Sequence, residues 1–438
     1  MFSIMFKSNC NKVVHVLLRK YSVKTLGENA LTVGNSKYLL DDFTNVTPKI
    51  LSLLGTNLHT TPNHPLCLIR KRIINYFYKR FVNAKGNPLF SVYDDLHPIV
   101  TVQQNFDNLL IPESHPSRAK SDCYYINSNE LLRAHTTAHQ VDLLRSGLNN
   151  FLVCGEVFRR DEIDSTHYPV FHQIDGLRLL NKHQLFKSDG QLEIFEKTNT
   201  KNAVINDYLK QDCHTLESVK LAEHELKNTL SGLSKSLFGE NIKTRWTDTQ
   251  FPFTYPSWEL EIYYKNRWLE VLGCGIVRNE ILQKAGVIED TIGYAFGIGL
   301  ERLAMVLYDI PDIRLFWSKD SGFLNQFNET DLYKDIQYKP VSVYPQCIND
   351  LSFWLPNDTT IEEFVLNDFY DIVRDIAGNT LEQVKQIDSF VHPKTGRSSL
   401  CFRLTYRHME RTLTQAEVNE LHSKISDKVV QTFGVTIR

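Results

Sequence analysis

The chain has no paired cysteines. Cys10, Cys67, Cys123, Cys154, Cys213, Cys274, Cys347 and Cys401 are scattered, and no two fall in a C-x-x-C arrangement. That spacing speaks against a structural zinc site and against a disulfide framework, so reduced thiols are expected, mostly in cores. An excess of either charge is also missing: 49 basic residues stand against 51 acidic ones. This excludes an extended basic nucleic-acid binder while leaving room for a local basic patch. There is no internal repeat, no low-complexity tract, and no apolar run of the ~20 residues that a bilayer crossing needs. Acidic residues are absent from Met1 to Gly27, where Lys7, Lys12, Arg19, Lys20 and Lys24 are interleaved with Val13, Val14, Val16, Leu17 and Leu18. An acid-poor, basic, amphipathic start of this kind reads as a mitochondrial presequence of about 25 residues; a disordered basic tail is the alternative.

What is present is globular. Of 438 residues, 42% are hydrophobic and 23% charged, enough for two or three domains with sizeable cores. From His64-Pro65 onward, Leu66, Ile69, Ile73, Phe77 and Phe81 recur at helical spacing, and a strand and loop are expected through Asn105–Leu109 and His115–Arg118. Residues 181–241 read as an insertion of helix formers, notably Leu216 to Leu237. Trp258–Ile262 then alternates, and Lys265-Asn266-Arg267 turns the chain back into Trp268–Gly273 as an antiparallel hairpin. Residues 309–340 read as a linker. Beyond it, a strand over Val341–Leu355 precedes a helix opened by a Thr359–Glu362 capping box and closed by Gly378. Strands Leu381–Val391 and Ser399–Tyr406 follow, then a helix capped by Thr414–Glu417 and a closing strand at Val435–Arg438. The order βαββαβ is the ferredoxin-like split. The class is therefore α+β: a catalytic domain over 26–308 and a ferredoxin-like unit over 341–438.

Two short stretches carry the chemistry. Phe151–Gly176, FLVCGEVFRRDEIDSTHYPVFHQIDG, is an apolar run, a polar loop carrying Arg159, and a second apolar run. Phe296-Gly-Ile-Gly-Leu-Glu-Arg302 is a small-residue turn leading into helix formers. Two planar guanidinium forks held on different rigid elements suit a triphosphate, at roughly 1.5–3 kcal/mol per charge-assisted bond.

These stretches resemble motifs 2 and 3 of the class II aminoacyl-tRNA synthetases. Their surroundings are similar to the single-chain mitochondrial phenylalanyl-tRNA synthetases. The matching text is Leu131-Leu-Arg-Ala-His-Thr-Thr-Ala-His-Gln140, Phe158-Arg-Arg-Asp161, Thr166-His-Tyr-Pro-Val-Phe-His-Gln173, Phe251-Pro-Phe253, Trp268-Leu-Glu-Val-Leu-Gly-Cys-Gly275 and Gly297–Arg302. The likeness runs from about His64 to the C-terminus. It implies an antiparallel-sheet catalytic domain with a degenerate motif 1, and a C-terminal anticodon-binding domain. The implied activity is ATP- and Mg²⁺-dependent attachment of L-phenylalanine to mitochondrial tRNA(Phe) through an adenylate.

By this resemblance Arg159 and Arg302 are the catalytic pair, and Arg159, Asp161, Glu270, Phe296 and Arg302 contact ATP. Glu270 also faces the Mg²⁺ carried by ATP, and no zinc is expected. Asp161 stands where the class prefers Glu. The phenylalanine site is implied at His135, Thr137, Ala138, His139 and Gln140 on one segment. On the second it falls at Thr166, His167, Tyr168, Gln173, Ile174 and Asp175, with Phe251, Phe253 and Ala295 around the ring. Thr137 and Asp175 replace the Ser and Glu that relatives often carry. Lys394, Arg397, Arg403, Arg407 and Arg411, set among aromatic residues, are the candidate tRNA contacts. The resemblance further implies location in the mitochondrial matrix, no membrane attachment, a monomer, and a C-terminal domain that swings to meet tRNA. An apolar ring pocket excludes a hydroxylated analogue by only about 10²-fold, so tyrosine misactivation is expected. Two other readings stay open: an amino-acid activator with another acceptor, and an inactive RNA-binding paralogue.

Overall fold

The structure is a computed structural model that describes residues 23–25, 30–186, 192–196, 210–287, 290–318, 321–327, 332–340, 344–357, 359–408 and 410–438. The presequence expectation falls almost wholly outside them. Three short strands, β1 (Val23–Thr25), β2 (Ala30–Val33) and β3 (Ser36–Leu39), make a small antiparallel sheet. The main sheet begins with β4 (Ser91–Tyr93), and beside it β5 (Ile99–Thr101) pairs with β6 (Glu130–Leu132). The main sheet continues through β7 (Asn150–Phe158), β8 (Val170–Asn181), β9 (Thr244–Phe251), β10 (Thr254–Tyr264), β11 (Arg267–Val277) and β12 (Thr291–Gly299). Its order is β4-β7-β8-β12-β11-β10-β9, antiparallel except for the parallel β4–β7 pair. The Lys265-Asn266 hairpin turn holds both residues at positive φ, 45° and 63°.

Helices α1 (Pro48–Leu53), α2 (Pro65–Arg80), α3 (Val102–Asn105), α4 (Gln140–Arg145), α5 (Lys182–Phe186), α6 (Leu216–Phe238), α7 (Asn279–Lys284), α8 (Leu300–Leu307) and α9 (Ser321–Leu324) complete this body. α2 starts where the sequence says it should. The His64 side chain accepts from the Leu66 amide, and Pro65 occupies the first turn, where its missing N–H costs nothing. Its Leu66, Ile69, Ile73 and Phe77 are fully buried, each contributing roughly 1.5–3 kcal/mol. They face the sheet together with α6 and α8. The expected strand through Asn105–Leu109 is not one: the chain there is α3 followed by single 3₁₀ turns at Asp107–Leu109 and Pro116–Arg118. A capping box between Thr101 and Gln104 opens α3 and wins over strand propensity.

The main sheet has two faces of different character. Along β12 the alternation sends Tyr294, Phe296 and Ile298 into the helical layer and Ala295 to the other side. That second face carries the cavity described below.

The C-terminal unit is β13 (Cys347–Trp354), α10 (Leu366–Ala377), β14 (Leu381–Val391), β15 (Ser398–Tyr406), α11 (Gln415–Phe433) and β16 (Thr436–Ile437). Its sheet order, β14-β15-β13-β16, is the ferredoxin-like one. Phe353, Phe369 and Phe402 form its centre, the last two with ring centroids 4.3 Å apart. The Thr414–Glu417 box caps α11 as expected. The first helix differs. The reciprocal bonding is one residue later, Glu363 accepting from the Thr360 N–H and hydroxyl, and it closes a turn rather than a helix. α10 begins only at Leu366, and its N-cap Val365 offers no capping side chain. The first strand is likewise shorter than expected and starts at Cys347. All seven cysteines among the described residues are unpaired, and no described helix is long and apolar enough to cross a membrane.

Candidate active site

The cavity encloses about 760 Å³ on the open face of the main sheet. Three pieces of chain build its polar end. The first is the segment after β6. Arg133 is buried there and donates to the carbonyls of Glu156 and Leu96 and to His139 Nε2 at 2.8 Å. Gly155 makes room for it, since a β-carbon at 155 would lie 2.0 Å from the guanidinium. With its start pinned, the following 3₁₀ turn presents His135, Thr136, Thr137 and Gln140 to the cavity.

The second piece is β8, whose alternate residues Gln173, Asp175 and Leu177 face inward. Asp175 Oδ2 accepts the Thr137 hydroxyl at 2.6 Å, while Oδ1 is buried with no partner. Burial raises the Asp175 carboxyl to about 6, against the lowering effect of the Thr137 and Thr136 hydroxyls and of Arg159. His135 is the converse. Burial and the nearby Arg159 charge push it down to about 3, so its ring is neutral, and neither nitrogen has a partner in the chain. Gln173 Oε1 is also shielded and unpaired. A buried polar atom without a partner costs about 1–3 kcal/mol, so this concentration of them marks a binding surface.

The third piece is the loop between β7 and β8. Arg159 lines the cavity, its Nε donating to the Ala134 carbonyl and its guanidinium lying 5.2 Å from the Phe171 ring centroid. Asp161 lies beside it. Arg302, in the first turn of α8, donates from Nη1 to the Glu270 carbonyl and side chain at 3.2 and 3.3 Å. Glu270 itself borders the cavity.

The apolar end is closed by Phe251 and Phe253, stacked on each other at 5.7 Å and 6° across Pro252, with Ala295 and Leu177 on the floor. Phe151 and Val153, which sequence reading passed over, extend this floor. Strand alternation, which sets Gln173 and Asp175 on one face of β8, sets these two on the same face of β7 and is the signal that could have found them.

Several expected site residues point elsewhere. Phe296 is 3% exposed and stacks on Phe77 at 5.2 Å and 10°, on the helical side of the sheet. It cannot stack on adenine, because strand alternation opposes it to Ala295. Ile174 is turned to the same core by the same alternation. Ala138 is packed with Phe106 and Leu109, and His139 is taken up by Arg133. Thr166 and His167 fold onto Asp164 in a local turn, which raises the His167 pKa through the bond to the Asp164 carboxylate. Tyr168 stacks on Trp317 and donates to Asn379 of the C-terminal unit. None of these six, nor Arg302 itself, borders the cavity; Phe296 does so beside Gly297 but with its ring turned away.

Three of the five basic candidates of the C-terminal unit are paired with carboxylates. Arg403 is forked onto Asp350, Arg411 onto Glu417, and Arg407 pairs with Glu382 at 3.0 Å next to Arg314 of the body. Lys394 is exposed in the turn after β14, and Arg397 reaches back to the Leu355 carbonyl and the Thr436 hydroxyl. Arg397 belongs to a cluster on the outer face of the four-stranded sheet whose centre, Trp354, sequence reading missed. Around Trp354 gather Phe390, His392, Arg397 and Arg438, with the two guanidiniums 5.9 and 5.3 Å from its ring centroid.

Comparison with known proteins agrees with this geometry. A profile described as the class II core domain of tRNA synthetases (F) matches residues 52–206 and 206–327, and one for the ferredoxin-fold anticodon-binding domain matches 342–438. Fold and cavity together define a class II aminoacyl-tRNA synthetase. The chain is 63% identical to a protein of Drosophila melanogaster named probable mitochondrial phenylalanine–tRNA ligase, over 93% of this chain and 92% of that one. Mitochondrial phenylalanine–tRNA ligases of Mus musculus and Saccharomyces cerevisiae are 52% and 37% identical, over 93% and 99% of this chain and 88% and 100% of theirs. The chain belongs to the mitochondrial phenylalanine–tRNA ligases and charges tRNA(Phe) for mitochondrial translation. Its substrates are an amino acid, ATP and tRNA, and enzymes of this class use Mg²⁺.

Proposed function

We propose that the cavity binds L-phenylalanine with its ammonium on Asp175 and its ring between Ala295 and the Phe251–Phe253 stack, and activates it as an adenylate. The observation that carries this is the placement of opposite charges, Asp175 and Arg159, around one end of a cavity whose other end is aromatic. A zwitterion with an aryl side chain matches that polarity. Arg159 then neutralises the substrate carboxylate and the α-phosphate. Holding two anions in line is most of what this step asks, because the attacking oxygen needs no proton removed. His135, kept neutral, adds no competing positive charge beside the ammonium, and Gln173 and Thr137 supply neutral partners.

The triphosphate tail runs toward Arg302. Glu270 is the carboxylate best placed to meet Mg²⁺ that arrives on ATP, and Glu259 is a second. Burial raises the Glu259 carboxyl, and the charges of Glu270 and Glu261 raise it further. Such crowding favours a cation, and one or two carboxylates with phosphates are the usual Mg²⁺ set. When bound, Mg²⁺ supplies neutralisation of the departing pyrophosphate. Glu261 is held by Arg245 and serves the sheet surface.

The chain works as a monomer in the mitochondrial matrix, after removal of its basic, acid-poor first 25 residues. The tRNA is read by the C-terminal unit, with the Trp354 cluster as its stacking surface and Lys394 and Arg397 close by. Exchange of pyrophosphate into ATP tests the reading: phenylalanine supports it, tyrosine supports it about 10²-fold less efficiently, and no other amino acid does. Exchange that is indifferent to phenylalanine would reject it.

A further inference from the structure

The loop that carries Arg159 is held mainly by the other domain. Arg160 donates from Nε to Asp371 and from Nη2 to Asp368, at 2.7 and 2.6 Å. Arg374 donates to the Asp161 carbonyl at 2.6 Å and to Asp371 at 2.6 Å. Tyr124 completes this buried knot by donating to Asp371 at 3.0 Å. Further along, Ile163 is buried in the core of the C-terminal unit, and its carbonyl accepts from the Val384 amide. Tyr168 closes the loop with its bond to Asn379. Asn367, also on α10, donates to the Ser121 carbonyl and borders the cavity.

We infer that Asp371 and Arg374 are positioning residues for ATP, so that docking of the C-terminal unit and placement of the Arg159–Asp161 segment are one equilibrium. This rests on the reading of that segment as the nucleotide contact. The physical reason is the distribution of the bonds. Between Arg160 and Tyr168 the loop gets its long-range anchors from α10, β14 and the turn between them. On its own side it keeps the Arg160 amide and guanidinium bonds to Asp122 and Lys120, the Arg159 bonds at its base, the Ser165 carbonyl and the Tyr168 ring on Trp317. Undocking removes two carboxylates from Arg160 and the donor from the Asp161 carbonyl, and a segment of that kind is free to leave the cavity wall. Coupling of this type is reciprocal: whatever docking does for ATP affinity, ATP does for docking. ATP binding would thus favour the docked form, and loss of the pyrophosphate that leaves as the adenylate forms would weaken that preference before the transfer step, which itself releases AMP.

The test uses the full chain without tRNA, with Asp371→Asn and, as a second route, Arg374→Gln. Pyrophosphate exchange gives KM for ATP and for phenylalanine, and small-angle scattering gives the radius of gyration with and without a non-hydrolysable ATP analogue plus phenylalanine. The expected result is an ATP KM raised about fivefold to tenfold, a factor typical of allosteric coupling, with the phenylalanine KM rising less because Asp175 and the ring pocket stay in place. Both variants should be expanded in the absence of ligand and should contract when the analogue is added. Expansion with an unchanged ATP KM would show domain and loop to be independent and overturn the inference. So would a raised KM without expansion, which would locate the fault in Arg160 alone, and so would no change in either. Arg159→Ala in the same assay guards the underlying reading. If it keeps normal exchange, the nucleotide assignment is what has failed.

Discussion

Thr137 donates its hydroxyl to Asp175 at 2.6 Å, and this single bond joins the segment after β6 to the floor of β8. It leaves Asp175 Oδ1 without a partner inside the cavity. Gly297 on the neighbouring strand allows it, since a β-carbon there would come within 2.9 Å of Oδ1.

The pH dependence of phenylalanine use follows. Asp175 must be ionised to hold an ammonium, and burial raises its pKa to about 6. The ionised form is therefore present above pH 6 and lost as pH falls through it. A plot of kcat/KM for phenylalanine against pH should bend near 6 and drop about tenfold per unit below. Asp175→Asn should remove the bend and lower kcat/KM about tenfold to a hundredfold, the worth of one charge-assisted bond. A variant that kept the bend would assign it to another group.

Phe296 separates a core role from a cofactor role. Its ring is parallel to Phe77 on the side of the sheet away from the cavity. Phe296→Ala should cost about 3–5 kcal/mol of stability, read from a denaturation midpoint, and Phe296→Leu much less. In the Leu variant KM for ATP should stay within about twofold. A large rise with an unchanged midpoint would return the ring to the nucleotide.

The interdomain knot is also a stability statement. Asp371 is buried against Arg160, Arg374 and Tyr124. Asp371→Ala leaves two buried guanidiniums short of their shared carboxylate, at about 3–5 kcal/mol. The loss should appear as an earlier unfolding transition, and largely vanish when Arg160 and Arg374 are replaced by Met as well.

These cases show where sequence is legible and where it is not. Likeness to the family supplied Gln173, Ile174 and Asp175 together, and the alternation of β8 is what separates Gln173 and Asp175, on the cavity side, from Ile174 in the core. The helical spacing of Leu66, Ile69, Ile73 and Phe77 gives α2 directly. Phe296 went wrong although its strand was read correctly, since likeness to a family supplies positions and not the face on which each side chain stands. Thr166, His167 and Tyr168 went wrong for another reason. A polar loop has no periodicity: Thr166 and His167 are taken up by Asp164 within the loop, and Tyr168 by Asn379, two hundred residues away. The pairing of Arg403 with Asp350 was invisible because a count of charge along a chain says nothing about partners across a sheet, and that of Arg411 with Glu417 because Glu417 was read only as a helix cap.

The Trp354 cluster carries the last prediction. On the open face of a four-stranded sheet, exposed rings offer nucleobases a stacking surface, and Arg397 and Arg438 add charge for the backbone. The bland alternative is that the two guanidiniums merely cover a surface tryptophan. The two readings differ in which step of the reaction feels the change. Trp354→Ala should leave pyrophosphate exchange within about twofold, because the residue is on the C-terminal unit, away from the cavity. It should raise KM for tRNA in aminoacylation by about five- to a hundredfold, the range expected for loss of one stacked base at ~1–3 kcal/mol. Trp354→Phe should recover most of it, since a ring face is what stacking needs. Arg403→Ala, which removes a charge already paired with Asp350, is the control and should change KM for tRNA far less. Equal effects from the two substitutions would mean that the sheet face acts through general charge, and the stacking role of Trp354 would fall.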